Sequence, residues 1–418
     1  MIKQYIAKIE GHGTLNIDFK KNEAKLNIEE GERLIEGIML GRPYHDAPFI
    51  TSRICGVCPI AHNSASLLAL ENAFDISIDR TTQRLRQLLI CAQMMQSHTL
   101  HLYFLALSDY LNASSTLSLA DSKPEIFKNA LNLKKISDHV ADCVAGRNVH
   151  PITPTIGGFL KIPTKNDLRK LLIEINTSHD EIIETVKLFA SFDYPKISNP
   201  TKYLSLSSPT KYATISDKVE SSSGEIFHKR NYENNVIEKV RLNSPSKYAT
   251  YKGKPFMLGA LARLSMNAHK LHPEAKTLYR KFKVNLGDFP AYNSFHNNFA
   301  QAIEIAHFFE ESKQIIEKLL NDKSYKFRKP PTIKPKRCRG YGVIEAPRGI
   351  LYHYYEITNT GKIKNCNIIT PTAQSLTNLE ADCKILMKET SNLSEKKRAH
   401  LIEMLIRAYD PCITCSVH

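Results

Sequence analysis

Two Cys-x-x-Cys pairs stand at opposite ends of this chain. The first lies in "RICGVCPIAH", with Cys55, Cys58 and His62, and the second in "DPCITCSVH", with Cys412, Cys415 and His418. A Cys-x-x-Cys turn aims two thiolates at one point. Two such turns supply four sulfurs, a set suited to zinc, an iron–sulfur centre or another thiophilic metal. The paired turns of a structural zinc knuckle usually lie about 15–20 residues apart. Here 353 residues, positions 59–411, lie between them. A metal held by both pairs is therefore built at the centre of a large body and must draw the last residues inward, where chain ends ordinarily fray. A thioredoxin-type redox site needs only one such pair. Neither it nor inert thiols account for two matched pairs, each followed three or four residues later by histidine.

The rest of the composition agrees with a large globular body. At 418 residues, 42% hydrophobic and 24% charged, the chain exceeds one ordinary domain and can bury an extensive core. No run of about 18 apolar residues without charges occurs, so no transmembrane helix is expected. "MIKQYIAKIEGHG" lacks an apolar signal core, so no Sec-type export is expected. The net charge of +15 comes from scattered lysines without basic–aromatic runs, which reads as a solvated surface and argues against nucleic acid. Nine cysteines, an odd number in a long chain, argue against a disulfide scaffold. Beyond the two pairs, Cys91, Cys143, Cys338, Cys366 and Cys383 read as buried small hydrophobes.

Periodicity places the motifs. "LNIDF" and "AKLNI" around "KKNE" predict a β-hairpin. No Pro occurs between Pro59 and Pro124 and no Gly between Gly56 and Gly146, which favours long helices. "NSASLLALENAFDI" is one. "DRTTQRLRQLLICAQMMQSHTLHLYFLALSDYL" is a second, of over 30 residues, apolar on most faces and hence central. "EIFKNALNLKKISDHVADCVAG" is a third, C-capped by Gly146. "TKNDLRKLLIEINTSHDEIIETVKLFASF" reads as another helix, capped by Thr164 or Asn166. Residues 200–255 are Ser/Lys/Tyr-rich and read as a mixed, surface-exposed region. "SFHNNFAQAIEIAHFFEESKQIIEKLL" is a strong helix. "YGVIEAP", "GILYHYYEI" and "KIKNCNIITP" follow as strands, with a turn at Asn359-Thr360-Gly361. Short helices around 375–388 and 395–409 lead to the final motif. The expectation is one body spanning 1–418, with an N-terminal β region (1–50), a helical core (51–200), the mixed region (201–260), and helices, β region and C-terminal motif (261–418).

These motifs together resemble the large, catalytic subunit of NiFe hydrogenases. "RICGVC…H" and "DPC..C..H" match its paired signatures, and "IEGHG", "SHTLHLYFL", "GR..HP....GG", "GALAR" and "EAPRG.L" occur in its order over essentially the whole chain. The resemblance implies an α+β fold, predominantly α, with long central helices around a buried metal site and small β pieces near both termini. It implies reversible heterolytic cleavage of H2 to protons and electrons. Cys55 and Cys412 would bind nickel terminally, and Cys58 and Cys415 would bridge nickel to an iron completed by carbon monoxide and two cyanides. Soft thiolates suit such a pair.

Cleavage needs a base for the proton and a metal for the hydride. The resemblance makes Cys412 the first base and Glu10 the proton relay, a role that a burial-raised carboxyl suits. Arg348 would stand above the open site with Ala346, Pro347 and Leu351 around it. Pro371 and Thr372 match the segment that holds a cyanide, and Asp410 would face Arg348. His62 would hydrogen-bond near a bridging thiolate. His418, with Glu36 and the carbonyl of Ile368, resembles a Mg2+ site, a donor set fit for a hard cation. Taken alone, Glu10 reads as an exposed strand-end charge and Asp410 as a helix-end charge.

One departure is informative. Gln96-Ser97-His98 replaces the His-Asp-His of many membrane-bound uptake enzymes, so Ser97 stands where an acid otherwise pairs with the arginine. This resembles the cytoplasmic, bidirectional branch (group 3), and a terminal His rather than Arg argues against the energy-converting membrane branch. Because no further Cys cluster is present, iron–sulfur clusters are expected only on a partner small subunit. Further electron-transfer subunits (flavin, NAD(P), deazaflavin or ferredoxin modules) and a maturation protease acting beyond His418 are implied. The competing readings are a complex I-like quinone-reductase subunit, which lacks the thiolates, and a structural zinc protein.

Overall fold

The computed structural model describes residues 2–111, 113, 117–242, 244–287 and 292–418. Long helices form where Pro and Gly are missing. They are Pro59–Phe74, Arg80–Thr99, Pro124–Ala145 and Asn297–Leu320. Asp79 caps the second by accepting from Thr82 N at 2.8 Å. That helix continues to Tyr110 through a π-helical segment, Leu100–Ala106. Gly146, at φ 74°, ends the third. Arg80–Thr99 packs between Asn297–Leu320 and Pro124–Ala145, and this layer holds most of the apolar core. The strongly helical character and the small sheets agree with the expected α+β class.

The single helix expected over residues 164–192 is two, Lys165–Thr177 and His179–Ala190. The hydroxyls of Thr177 and Ser178 both donate to the Glu174 carbonyl, at 2.9 and 3.1 Å. Ser178 N turns instead to Ile175 O, and the ladder breaks there. Thr164, not Asn166, is the cap, in a reciprocal pair with Asp167.

The N-terminal hairpin is present as Gly13–Asp18 and Glu23–Ile28, with Ile2–Tyr5 added as a third antiparallel strand. A second three-stranded sheet consists of Cys338–Ala346, Gly349–Ile357 and Ile363–Ile369. Helix Pro59–Phe74 lies directly on it. Gly340 and Gly342 permit that approach, since a Cβ on either would sit 2.1 Å from a helix carbonyl, Ala69 O or Ala65 O.

Residues 201–260 depart from the surface-exposed expectation. They form a four-stranded sheet and a two-stranded hairpin. Leu204, Leu206, Val219, Tyr232, Tyr251 and Phe256 are buried against Val343, Ile350, Tyr352 and Ile369 of the neighbouring sheet. Tyr232 stacks on Tyr352 at 5.1 Å and 12°. The tyrosines that make the stretch look polar supply much of its buried surface. Cys143 and Cys338, expected to be buried, are only partly so. No helix among the described residues is long and apolar enough to cross a membrane.

Candidate metal centre

The two ends of the chain meet at the four cysteines. Cys55 Sγ lies 3.3 Å from Cys412 Sγ, and Cys58 Sγ lies 3.2 Å from Cys415 Sγ. Cys412 and Cys415 are 2.7 Å apart. All four sulfurs fall within 4.8 Å of one another and all four residues are buried. Local structure aims them. Cys58 precedes helix Pro59–Phe74, whose first residue is proline. Val57 N and Cys58 N donate to Cys55 Sγ at 3.2 and 3.4 Å. Cys412 precedes the short helix Ile413–Ser416. It is held by a bridge to Glu10, by Ile413 N donating to Glu10 O at 3.0 Å, and by its own N donating to Thr372 Oγ1 at 3.0 Å. Gly11 leaves room for this, because a Cβ there would meet Ile413 Cβ at 2.6 Å.

Burial pushes the Cys412 and Cys415 thiols well above the ordinary range, and the sulfurs of Cys55 and Cys58 add to it. Four thiolates packed this closely in the interior require neutralising cations, so the donor set fits thiophilic metal ions. Arg348 supplies a fixed positive charge beside them. Its Nε and a terminal nitrogen donate to Asp410 O at 2.5 Å and Asp410 Oδ1 at 2.7 Å, and the other reaches Ser97 Oγ at 3.4 Å. Asp410 sits at φ 51°. Such a conformation costs about 1–3 kcal/mol for a non-glycine residue and is held by this clamp. Both residues are buried, so Asp410 is not a helix-end surface charge.

A narrow cavity of about 10 Å³ adjoins the sulfurs. Cys58, His62, Ala346, Pro347, Arg348, Leu351, Pro371, Thr372, Cys412 and Cys415 line it, and the sequence motifs single out every one of them. Glu10 adjoins Cys412 through the backbone bridge. It is half-buried, and Thr414 bonds it twice, through Oγ1 and through N at 3.1 Å. Burial, then the charge of Cys55, raises its carboxyl above the ordinary range.

The last residue is fixed rather than frayed. His418 Nδ1 faces Cys415 O and Nε2 faces Ile368 O, each at 2.7 Å. Glu36 Oε1 is 3.8 Å from Nε2 and accepts from Ile368 N at 2.7 Å. Burial opposes ionisation of Glu36, but His418 and Lys247 outweigh it and hold the carboxyl down to about 2. Lys247 bridges Glu36 and Glu238 at 3.1 and 3.4 Å, and the buried Glu238 Oε1 has no partner. His418 Nε2, Ile368 O and Glu36 Oε1 converge here, and an imidazole nitrogen with two oxygens is a donor set that fits a hard divalent ion.

Sequence reasoning missed the supports. Arg263 is buried and bidentate to Glu304 at 2.6 and 2.7 Å. It also donates to Glu345 and to the carbonyls of Ala346 and Pro347 at 2.9–3.0 Å. It thereby shapes the turn that presents Arg348. His98 and Tyr212 complete the shell of Glu304. His353, Tyr355 and Ser66 lie behind His62. Period-2 alternation from Leu351 would have put His353 and Tyr355 on the cavity's side of the strand. A second cluster, His272, His307 and Glu311, borders a cavity of about 950 Å³. There His307 Nδ1 accepts from His272 N, so the ring's hydrogen is on Nε2, 3.7 Å from Glu311 Oε2. The ring therefore presents no lone pair to a metal.

Comparison with known proteins agrees with the geometry. The family model described as nickel-dependent hydrogenase matches residues 33–144 and 206–418. The chain is 36% identical to the alpha subunit of sulfhydrogenase 1 of Pyrococcus furiosus, over 99% of this chain and 96% of that protein. It is 25% identical to the beta subunit of the NAD-reducing hydrogenase HoxS of Cupriavidus necator, over 99% and 93%. Among solved structures, an NAD+-reducing [NiFe]-hydrogenase in the H2-reduced state superposes with a TM-score of 0.88 at 26% identity, over 99% and 98% of the two chains.

Proposed function

The chain belongs to the nickel-dependent hydrogenase family, and from that premise we propose how its own side chains serve the reaction. It is the catalytic subunit of a NiFe hydrogenase, an oxidoreductase acting on H2. The observation that carries the assignment of residues is the convergence of four buried sulfurs from both ends of the chain on one point. Cys55 and Cys412 would hold nickel, and Cys58 and Cys415 would hold nickel together with iron. Bound there, with carbon monoxide and two cyanides completing the iron, the metals would polarise H2 and take up its electrons.

The residues around them do the rest. Cys412 Sγ takes the proton, and Glu10, at the neighbouring backbone bridge, receives it. Its raised carboxyl suits holding and releasing one proton near neutrality. Burial opposes the charge of Arg348, but Asp410 and then the neighbouring sulfurs outweigh it and keep the guanidinium charged, and its fork is fixed by Asp410. With Pro371 and Thr372 it lines the cavity that would receive the diatomic ligands, while Ala346, Pro347 and Leu351 line it with apolar surface that excludes bulk water. Glu36, Ile368 O and His418 would hold Mg2+, which would pin the closing segment.

The electrons leave through a small subunit carrying iron–sulfur clusters, and further electron-transfer subunits choose the acceptor. Leu34, Ile38 and Leu40 are exposed beside the Cys55 turn, which suits a large interface there. The complex is placed in the cytoplasm. Ser97 at the arginine supports the bidirectional branch. The test is Cys412→Ser in the purified complex, read by nickel content, H2-dependent dye reduction and infrared bands of iron-bound carbon monoxide and cyanide. Loss of nickel and of activity is expected. A variant that stays loaded and active would overturn the assignment, and a loaded enzyme without those bands would overturn the diatomic ligands.

A further inference from the structure

Asp410 holds a left-handed backbone at φ 51°, and every polar group it has is taken. Arg348 donates to its carbonyl at 2.5 Å and to Oδ1 at 2.7 Å. Its own N–H donates to Arg407 O at 2.8 Å, and Gln301 Nε2 donates to Oδ2 at 3.0 Å. The Gln301 contact leads further. Gln301 Oε1 lies 2.5 Å from His101 Nδ1, and His101 Nε2 lies 2.7 Å from Arg407 O. That carbonyl is the one that receives the Asp410 N–H. The contacts therefore close into a ring that runs from the Asp410 carboxylate through Gln301, His101 and the Arg407 carbonyl back to the Asp410 N–H.

Three distant pieces of chain build this ring. Gln301 lies one turn after Asn297 on helix Asn297–Leu320, on the same face. Asn297 Nδ2 donates to Ala408 O at 2.8 Å, so this face grips the turn before the C-terminal Cys pair at two points. His101 stands in the π-helical segment Leu100–Ala106, a local widening that is frequent at functional sites. Arg407 is itself tied to Asp109 at 2.6 and 3.0 Å. Gln301, His101 and Asp410 are each at most 2% exposed, so water does not compete for these bonds. A left-handed aspartate persists only where its surroundings hold it. Arg348 alone does not, because a swing of Asp410 would carry the fork with it. The ring removes that freedom by tying Oδ2 to the N–H of the same residue through a rigid imidazole.

We propose that Gln301 and His101 are positioning residues of the reaction. By closing the ring on Asp410 they fix where its carboxylate presents the Arg348 guanidinium beside the sulfurs. Neither residue lines the cavity there. The inference rests on Arg348 serving the H2 chemistry. Gln301 is the decisive member, since its amide is the link to the carboxylate.

Variants of the nickel-loaded complex test this. Gln301→Leu removes the amide at similar volume. H2-dependent dye reduction per nickel should fall by about 10- to 10²-fold, the scale of a reacting group misplaced by about 1 Å. The infrared bands of iron-bound cyanide should shift in the same direction as in Arg348→Lys. Added to Arg348→Lys, where the fork is already lost, Gln301→Leu should cost about twofold or less, because both act through one group. Asn298→Ala, next on the helix but bonded to Tyr110 rather than to the ring, should leave rate and bands in place. Losses that multiply in the double variant, unmoved bands in Gln301→Leu, or equal effects of Asn298→Ala would overturn the proposal. If Gln301→Leu does not load nickel, the wild-type complex decides. Neutron diffraction after deuterium exchange should find the Gln301 amide nitrogen and one of its deuterons directed at Asp410 Oδ2, and the amide oxygen in that place would overturn the proposal. A wild-type rate in Arg348→Lys would instead refute the role of Arg348 on which the inference rests.

Discussion

Replacing Glu10 by Gln isolates proton transfer from everything else the residue does. Glu10 accepts from Thr414 N at 3.1 Å and bonds Thr414 Oγ1. A Gln can keep the first bond through its carbonyl and donate to the hydroxyl with its amide. The backbone bond from Ile413 N to Glu10 O does not involve the side chain. The stability cost should therefore stay below about 1 kcal/mol, the net worth of one neutral hydrogen bond. An amide cannot pass a proton. General acid–base catalysis contributes roughly 10²- to 10⁴-fold, equivalent to about 3–5 kcal/mol of barrier. H2-dependent dye reduction and hydrogen–deuterium exchange by Glu10→Gln should fall by that factor, with nickel content and infrared bands unchanged. Glu10→Asp, which keeps a carboxyl but retracts it, should recover part of the rate. A fully loaded Glu10→Gln enzyme with wild-type exchange would refute the relay.

Four further outcomes are expected. Arg348→Lys keeps the charge but loses one of the two bonds to Asp410. At about 1.5–3 kcal/mol for a charge-assisted bond, its heat-inactivation midpoint should drop by roughly 2–3 °C, alongside a lower rate. Burial raises the carboxyl of Glu311 from 4.5 to about 7. The folded state therefore holds that proton more tightly, and the stabilisation, full below pH 4.5, is lost as pH rises through 7. The loss is up to about 3 kcal/mol, and Glu311→Gln should flatten the dependence of inactivation rate on pH across that window. Glu36→Gln should lower bound Mg2+, measured by elemental analysis after dialysis, while leaving the four sulfurs intact. A permanent tail beyond His418 should block nickel loading, because His418 is enclosed by Cys415 O and Ile368 O; a loaded, active tailed enzyme would contradict this.

Much of the site was legible because its chemistry is carried by short motifs. The Cys pairs, "EAPRG" and "DPC" each name residues that the fold brings to one cavity. The long helices were legible from missing Pro and Gly. What stayed hidden depends on tertiary pairing. Nothing local marks Arg263 and Glu304 as a buried ion pair, 41 positions apart; only their burial against the Ala346-Pro347 turn gives them a role. The break at Ser178 arises because two hydroxyls compete for one carbonyl, a contest that apolar periodicity does not register. Residues 201–260 bury tyrosines whose polar tips disguise a core-facing alternation. His353 was within reach, two positions beyond Leu351 on the same strand face, but its meaning required His62 from a helix nearly 300 residues earlier.

The central claim is that four sulfurs from both ends of the chain hold one nickel–iron pair. Elemental analysis of the purified, H2-active complex, made with the chain's own metal content counted apart from the iron–sulfur clusters of its partners, tests it most directly. The account predicts one nickel and one iron per chain, both lost together in Cys415→Ser. Zinc in their place, or full activity in a complex free of nickel, would contradict it.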